Sequence, residues 1–512
     1  MIIDLKNLPS DSVFLQQMII DLVHKLKSLE EQLKLLKAKR FGKSSEKLNK
    51  QISDLELQIE ENEAAEAAAL FASEQASGVT PSKNQSDDTS SQAKRKKLPD
   101  HLPRDEVTIP PAPECPSCGG EEFRNISDDV SERLQYVPSS FKVMRYIRPR
   151  CACKNCDEVV QAYAPSKAID KGIAESGLLA HILVQKYCNH LPLYRQSEIY
   201  AREENVELAS STMSGWVGQC CKLLEPLIDE LKKSIFTSEQ IHGDDTLVKV
   251  LAPGQSKTKT GRIWCYVRDG RPFGDAVPPA VCYYYSSDRR GEHPAAHLES
   301  YKGIFHADAY SGYNKLYSSD ENLEAGIEEA ACWAHTRRKF YEITVVNEKA
   351  SIAISVLEQI SEIYKIEAQI KGLDPGERLA KRQERSKLLV KQLFAVFKKA
   401  LAKLPAKSAT AKAIRYALNN EAALMRFLDN GKVEIDNNAA ERAMRPIALG
   451  RKNWLFAGSD NGGKSAAAIY SLIETAKMNN INPWAYLEKV LDTIQDHNHT
   501  KLEQLLPWNI TL

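Results

Sequence analysis

Residues 435–456 combine a carboxylate with a run of cations and aromatic rings, in the order IDNNAAERAMRPIALGRKNWLF. Glu441 is expected in the first turn of a helix, because Asp436, Asn437 and Asn438 before it are types that cap helix N-termini. The candidate DNA-binding residues behind it are Arg442, Arg445, Arg451, Lys452 and Trp454. An enzyme that cuts phosphodiesters needs this combination, since a carboxylate holds a metal ion, cations hold the polyanion and rings stack on bases. The alternative is a surface helix with a weak Glu441–Arg445 ion pair.

Further carboxylates precede this stretch on predicted strands. The segments QIHGDDTLVKVL, RIWCYVRD and AVCYYYSSDR are short, β-branched and aromatic, which predicts three consecutive strands of one sheet. Asp244 and Asp245 lie in the first strand, and Asp308 ends a fourth apolar segment, GIFHADAYSGY. Carboxylates on two strands and a later helix can hold two divalent cations about 4 Å apart for phosphoryl transfer. Each Asp alone is more typical of a turn or a helix cap. Neighbouring strand residues face opposite sides, so only one of Asp244 and Asp245 should meet the metal.

Two CxxC pairs predict a second metal site. Cys115 and Cys118 lie in CPSCGG, and Cys153 and Cys156 lie in CACKNC. Two such pairs on tight turns present four thiolates to a structural Zn²⁺, which predicts a zinc ribbon over 102–165. Cys151 is a rival ligand, and a set of buried free cysteines is the alternative.

Length and composition place few limits on function. A chain of 512 residues has room for roughly three to four domains. Its formal net charge of +1 gives no whole-chain argument for nucleic acid binding. The N-terminus lacks the pattern of a secretory signal, and no apolar run approaches the roughly 18 residues of a membrane span. The odd cysteine count of 11 favours reduced thiols. We therefore expect a cytoplasmic protein without membrane contacts.

The N-terminal third predicts an extended organisation. Leu15, Ile19, Leu22, Leu26, Leu29, Leu33 and Leu36 are spaced alternately by four and three residues. This spacing predicts a coiled coil over 1–71, formed with a second copy of the chain or as a hairpin at Gly42. One amphipathic helix packed on the body is the alternative. Residues 72–101 lack aromatics and predict a flexible linker.

The rest of the chain predicts a helical module and a larger core. Three helical periods over 166–235 suit a helix-turn-helix that binds DNA, although a plain helical support fits nearly as well. Residues 236–512 would form the core, with an α-helical insertion at about 343–430 and a C-terminal helical element at 466–512. A second basic cluster, His335, Arg337, Arg338 and Lys339, precedes the insertion and is expected to bind DNA rather than line a solvated face.

Residues 458–465 fit the phosphate-binding pattern GxxxxGK followed by Ser or Thr. The chain that remains after Ser465 is too short for the parallel sheet that a P-loop domain needs. ATP binding at Lys464 is therefore disfavoured, and the glycines are interpreted as a turn near DNA.

Five motifs in combination resemble the bacterial insertion-sequence-sixty-six family of DDE transposases. They are HGDDT, HADAYSGYNKLY, CWAHTRRKFYE, DNNAAERAMRP and GRKNWLFAGS. The segments RFGKSSEKL and CPSCGG also match. The resemblance implies an α/β ribonuclease-H-like core in which Asp244, Asp308 and Glu441 are catalytic and hold Mg²⁺ or Mn²⁺. The family commonly has Glu after its first Asp, where this chain has Asp245, and we favour Asp244 as the ligand.

This resemblance implies a DNA transposase that cleaves the terminal inverted repeats of an element and joins the freed 3′-hydroxyl to target DNA. It also implies small accessory proteins encoded by the same element. The alternatives are a non-catalytic zinc-ribbon DNA-binding protein, which would not need the three carboxylates, and the P-loop ATPase.

Overall fold

The computed structural model describes residues 141–148, 150–152, 159–161, 165–170, 172–252, 258–317, 326–347 and 349–512. The predicted coiled coil, the linker and the predicted zinc ligands Cys115, Cys118, Cys153 and Cys156 lie outside the described residues. Within the predicted ribbon, β1 (Arg150–Ala152) pairs antiparallel with β2 (Val159–Gln161).

A mixed five-stranded sheet forms the centre of the described chain. Its strands are β3 (Gln240–Val250), β4 (Lys259–Arg268), β5 (Ala280–Ser286), β6 (Gly303–Ala307) and β7 (Ile327–Ala331). Their order is β5-β4-β3-β6-β7, in which β4 is antiparallel to both neighbours while β3, β6 and β7 run parallel. The prediction of three consecutive strands followed by a fourth is confirmed.

Helices cover the sheet and extend beyond it. In chain order they are α1 (Ser176–Tyr187), α2 (Leu193–Glu204), α3 (Ser210–Phe236), α4 (Glu292–His297), α5 (Asn314–Tyr317), α6 (Trp333–Val346), α7 (Ser351–Gln369), α8 (Pro375–Lys381), α9 (Lys387–Leu401), α10 (Ala409–Asn419), α11 (Glu421–Asp429), α12 (Asn438–Trp454), α13 (Asp460–Met478) and α14 (Pro483–Thr493). A π-helical turn, Arg382–Ser386, joins α8 to α9. None of the described helices combines the length and hydropathy that a membrane crossing requires.

The first three helices and the last two share one hydrophobic cluster with the sheet. Leu224, Leu227 and Leu231 of α3 are fully buried in this cluster. At the other end of the chain, the indole nitrogen of Trp484 on α14 donates to the carbonyl oxygen of Gly177 on α1 at 3.2 Å. The predicted helical module is therefore part of the body that supports the sheet.

The helices between β7 and α12 build a second hydrophobic cluster. Its aromatic centre includes Phe340 and Phe397, whose rings stack with centroids 5.5 Å apart. Ile304 of β6 and Ala331 of β7 join it, as does Ile435 just before α12. This helical segment, predicted as an insertion, therefore packs on the parallel edge of the sheet and on the chain that leads to Glu441.

A buried arginine ties this segment together. Arg382 is fully buried and donates to both carboxylate oxygens of Glu367, at 2.9 and 2.6 Å. It also donates to the carbonyl oxygens of Phe427, Asn430 and Val433, at 3.0, 3.1 and 2.8 Å. The loop that precedes α12 is thus fixed by a charged group that water does not reach.

We predict that Glu367→Gln lowers the free energy of unfolding by about 3 kcal/mol, because it leaves the Arg382 charge buried without a counterion. Glu362→Gln on the same helix is the matched control, since its exposed pair with Lys365 contributes roughly 1 kcal/mol or less. Denaturant unfolding of both variants measures the difference. Equal small losses would show that the buried pair does not hold the segment.

Candidate active site

Strand β3 directs Asp244 and Asp245 to opposite faces of the sheet. The side chain of Asp245 is 2% exposed and forms ion pairs with Arg262 at 3.0 Å and Arg289 at 2.8 Å. The Arg289 guanidinium in turn lies 3.8 Å from the ring centre of Tyr310. Two arginines therefore neutralise Asp245, which gives this carboxylate a structural role.

Asp244 has a different environment. Burial raises its pKa to about 7, the Asp245 N–H opposes that rise, and the charges of Asp308 and Glu441 add to it. That backbone N–H donates to Asp244 Oδ1 at 2.7 Å. The charges of Asp308 and Glu441 raise the pKa of Asp244 as secondary causes, after its burial.

Asp308 directly follows β6. The parallel register of β3 and β6 ends at the pair His242–His306, so Asp244 and Asp308 each lie two residues beyond it, at the same end of the two neighbouring strands. Asp308 Oδ1 accepts the N–H of Tyr310 at 3.0 Å. Ala309, between them, has a left-handed φ of 59°, an unusual conformation for a residue other than glycine. The chain therefore turns sharply just after the carboxylate.

Asn437 fixes the helix that carries Glu441. This fully buried side chain donates to the carbonyl oxygen of Gly243 at 2.8 Å and bonds His242 Nδ1 at 3.1 Å. Its backbone N–H donates to Cys332 Sγ at 3.2 Å. The predicted helix cap is instead a bridge from α12 to β3 and to the start of α6.

Glu441 faces His335 in the first turns of α12 and α6. Glu441 Oε1 and His335 Nδ1 are 3.7 Å apart, and the sulfur of Cys332 lies within 4.8 Å of both. Burial lowers the pKa of His335, although the negative charges of Glu441 and Asp308 act in the opposite direction and raise it. Burial raises the pKa of the Cys332 thiol to about 12. The histidine is therefore disposed to be neutral and the cysteine to stay a thiol.

The basic cluster of α6 flanks these carboxylates. Arg337 and Arg338 are exposed, whereas Lys339 lies 4.2 Å from the ring centre of Tyr416. The Tyr416 hydroxyl donates to the backbone oxygen of Asp308 at 3.0 Å. Three cations thus surround one side of the site.

The cations of α12 are divided between solvent and protein. Arg445 and Lys452 are exposed, and the half-exposed Arg442 lies 3.7 Å from the carboxylate of Asp269. Arg451 donates to Thr246 Oγ1 and the Leu247 carbonyl oxygen, both at 2.9 Å. Trp454 packs against the main hydrophobic cluster.

The glycine-rich stretch before α13 serves helix packing. Ser459 caps the helix by accepting the N–H of Gly462 at 3.1 Å. A Cβ atom at Gly463 would lie 2.5 Å from the ring of Tyr285 on β5, so only glycine allows this approach. These contacts explain the pattern without a bound nucleotide.

The sequence interpretation missed two elements of this site. His335 was grouped with the basic cluster and Asn437 with the helix cap, yet both adjoin the carboxylates. The spacing Cys332-x-x-His335 was the available signal for the first, since residues three apart lie on one face of a helix. No local signal marks Asn437, because its partners on β3 are almost two hundred residues away.

We predict that Asp244→Asn raises the thermal stability of the metal-free protein at pH 8 and not at pH 4.5. The folded-state pKa of about 7 exceeds the ordinary value near 3.9, so stability present below pH 4 is lost as the pH rises through 7. Asparagine cannot ionise, which should restore on the order of 1–3 kcal/mol at pH 8. Scanning calorimetry in EDTA measures both pH values.

Asp492→Asn, on the exposed surface of α14, is the control, and its thermal stability should vary with pH as that of the wild type does. If Asp244→Asn gave no gain at pH 8, the crowding of these carboxylates would be disproved.

The chain matches four family descriptions over most of its length. "Transposase IS66 family" matches residues 171–465, and "IS66 C-terminal element" matches residues 471–508. "Zinc-finger binding domain of transposase IS66" matches residues 113–157, and "Transposase C of IS166 homeodomain" matches residues 28–107.

Two proteins of Sinorhizobium fredii (strain NBRC 101917 / NGR234) are similar over nearly the whole chain. "Uncharacterized protein y4hP" is 39% identical over 492 residues, which are 94% of this chain and 88% of that protein. "Uncharacterized protein y4qI" is 38% identical over 491 residues, or 95% of this chain and 89% of that protein. Since the transposase match spans more than half of the sequence and these relatives align along almost all of it, the chain belongs to the IS66 family of transposases.

Proposed function

We propose that the chain is a DDE-type DNA transposase that cleaves the ends of an insertion element and joins them to target DNA. Its ribonuclease-H-like core would comprise residues 236–512, with Asp244, Asp308 and Glu441 as the metal-binding carboxylates. The mixed sheet supports this core, because Asp244 on β3 and Asp308 just after β6 follow the last residue pair of these two parallel neighbours, His242–His306. The observation that carries the proposal is the placement of Asp244 on β3 and Asp308 just after its parallel neighbour β6, with the helix of Glu441 bonded through Asn437 to the backbone beside Asp244.

The residues present fit a divalent cation. Carboxylate oxygens are the ligands that Mg²⁺ and Mn²⁺ prefer. Asp245 has two arginine partners, whereas the hydrogen bond described for the Asp244 carboxylate comes from a backbone N–H. Glu441 Oε1 is buried and has no hydrogen-bond partner among the described residues. A cluster of this kind is destabilising unless a cation neutralises it.

Each group then has a role in phosphoryl transfer. Asp244, Asp308 and Glu441 would hold Mg²⁺ or Mn²⁺, which polarises the scissile phosphate and favours the deprotonated nucleophile. Arg337, Arg338 and Lys339 would bind the DNA backbone next to the reacting phosphate, and the exposed Arg445 and Lys452 would extend this contact along α12. Arg442 retains enough exposure to reach DNA, while Arg451 and Trp454 would contribute mainly by holding α12 in place.

The parts outside the described residues belong to the same proposal. The four cysteines at 115, 118, 153 and 156 fall within the stretch that matches the zinc-finger family, which supports a structural Zn²⁺. The heptad spacing over 1–71 supports a homo-oligomer, as a synaptic complex of two element ends requires. A non-catalytic DNA-binding protein would have no use for a repulsive carboxylate cluster.

We predict that Glu441→Gln reduces cleavage and strand joining with Mg²⁺ by about 100-fold or more, because a charged metal ligand is lost at constant volume. DNA affinity should stay within about 2-fold, since it depends on the cations. Glu358→Gln, on an exposed face of α7, is the matched control and should keep both properties. Gel assays of cleavage and fluorescence anisotropy of DNA binding measure them. Near-normal cleavage by Glu441→Gln would remove Glu441 from the site, and Asp436 would be the next candidate.

The zinc proposal predicts about one Zn²⁺ per chain, lost in the double variant Cys115→Ser/Cys118→Ser. Cys188→Ser/Cys221→Ser is the matched control, because both are partly buried free thiols of the described core. Elemental analysis of the purified proteins measures the zinc content per chain. Zinc retained by the first double variant would exclude this ligand set.

A further inference from the structure

His335 and Glu441 face each other without forming a bond. The separation of 3.7 Å between His335 Nδ1 and Glu441 Oε1 is too long for a hydrogen bond. Both atoms are buried, and neither has a hydrogen-bond partner among the described residues. Unpaired buried polar atoms are uncommon in folded proteins. Two that face each other indicate a third group between them.

The separation fits ligands of one metal ion. Two ligand atoms about 2.1 Å from an ion lie about 3 Å apart at right angles and about 4.2 Å apart on opposite sides. The observed 3.7 Å corresponds to an angle of roughly 120° at the ion, between these two limits and near the tetrahedral angle.

Other bridging groups fit less well. A direct imidazolium–carboxylate bond would bring the two atoms to about 2.8 Å. A water molecule bonded to both, with arms of about 2.8 Å, would have to close its angle to roughly 80°, well below tetrahedral. The observed separation is therefore too long for the first and short for the second.

The neighbouring sulfur is already engaged. Cys332 Sγ lies within 4.8 Å of both atoms, but it accepts the N–H of Asn437 at 3.2 Å and is fully buried. The side chains of His335 and Glu441 are 26% and 31% exposed, although the two facing atoms are themselves buried. The nitrogen, rather than the sulfur, therefore lacks a hydrogen-bond partner among the described residues and is available to an ion.

We propose that His335 binds the divalent cation held by Glu441 directly, through Nδ1, so that the active site is a mixed nitrogen–oxygen site. This inference rests on the proposed function, because it adds one ligand to the carboxylate set. It also defines the class of ion: Mg²⁺ favours all-oxygen coordination, whereas transition ions accept imidazole. The fourth ligand would thus suit the site to a first-row transition ion, for which Mn²⁺ serves as the paramagnetic probe.

Electron spin echo modulation of bound Mn²⁺ tests this assignment in the full-length, zinc-loaded chain. A directly bound imidazole gives a nitrogen coupling, which should change when the protein is labelled with ¹⁵N-histidine. His335→Asn puts an oxygen near the Nδ1 position, so the coupling should vanish while Mn²⁺ affinity falls by no more than about 10-fold. His499→Asn, at an exposed position, and Cys332→Ser should keep the coupling.

The outcomes separate the two proposals. Mn²⁺ bound in a Glu441-dependent manner without a histidine nitrogen coupling would overturn the role of His335 and leave the transposase proposal standing. A coupling that persists in His335→Asn would do the same. Mn²⁺ binding that is unchanged in Glu441→Gln would overturn both. The ¹⁵N comparison in wild type needs no substitution, so a misfolded variant would not obscure the result.

Discussion

Hydrogen bonds of the buried residue Asn437 connect the strand and the two helices that carry the candidate site. Its amide donates to Gly243 beside Asp244, its oxygen bonds His242, and its backbone N–H reaches Cys332 at the start of the His335 helix. A hydrogen bond contributes only about 1 kcal/mol, but a buried polar group left without its partner costs about 1–3 kcal/mol. The main effect of these hydrogen bonds is therefore to restrict the arrangement of the elements, and their net stabilisation of the fold is small. They fix the positions of β3, α6 and α12 relative to one another. The placement of Asp244, His335 and Glu441, which these elements carry, depends on that arrangement.

Around these hydrogen bonds the fold stabilises a cluster that opposes folding. Partial burial and, to a smaller extent, the charges of Asp308 and Glu441 raise the pKa of Asp244, and a stable protein must offset this cost elsewhere. Two networks provide support from opposite directions. Asp245 is locked to Arg262 and Arg289 on the far side of β3, and Arg382 with Glu367 holds the loop that leads into α12. The helical segment between β7 and α12 is thus a support for the candidate site rather than an appendage.

Local patterns predicted what depends on neighbouring residues. Alternation along β3 separated Asp244 from Asp245, and the apolar periods located the strands β3–β6 and helices α1–α3. Strand β7, with the sequence IEEAA, was not predicted, because it is short, acidic and poor in β-branched residues. The partners of Asn437 and of Asp245, and the pairing of Arg382 with Glu367, could not be predicted, since they depend on which distant segments pack together. The glycines of 458–463 show that a local pattern can also mislead. They fit the phosphate-binding motif, but Gly463 is required by the close approach of α13 to β5.

The central claim is that Asp244, Asp308 and Glu441 form one metal-binding site. Anomalous diffraction at the manganese edge, from crystals of the full chain with bound element-end DNA and Mn²⁺, tests it most directly. The account predicts a peak within about 2.5 Å of a carboxylate oxygen from each of the three residues, counted over one or two ions. Among the described residues, close groups of ligand atoms occur at Cys332, His335 and Glu441 and at Asp288, Glu292 and His293. A peak at the second group alone would contradict the claim.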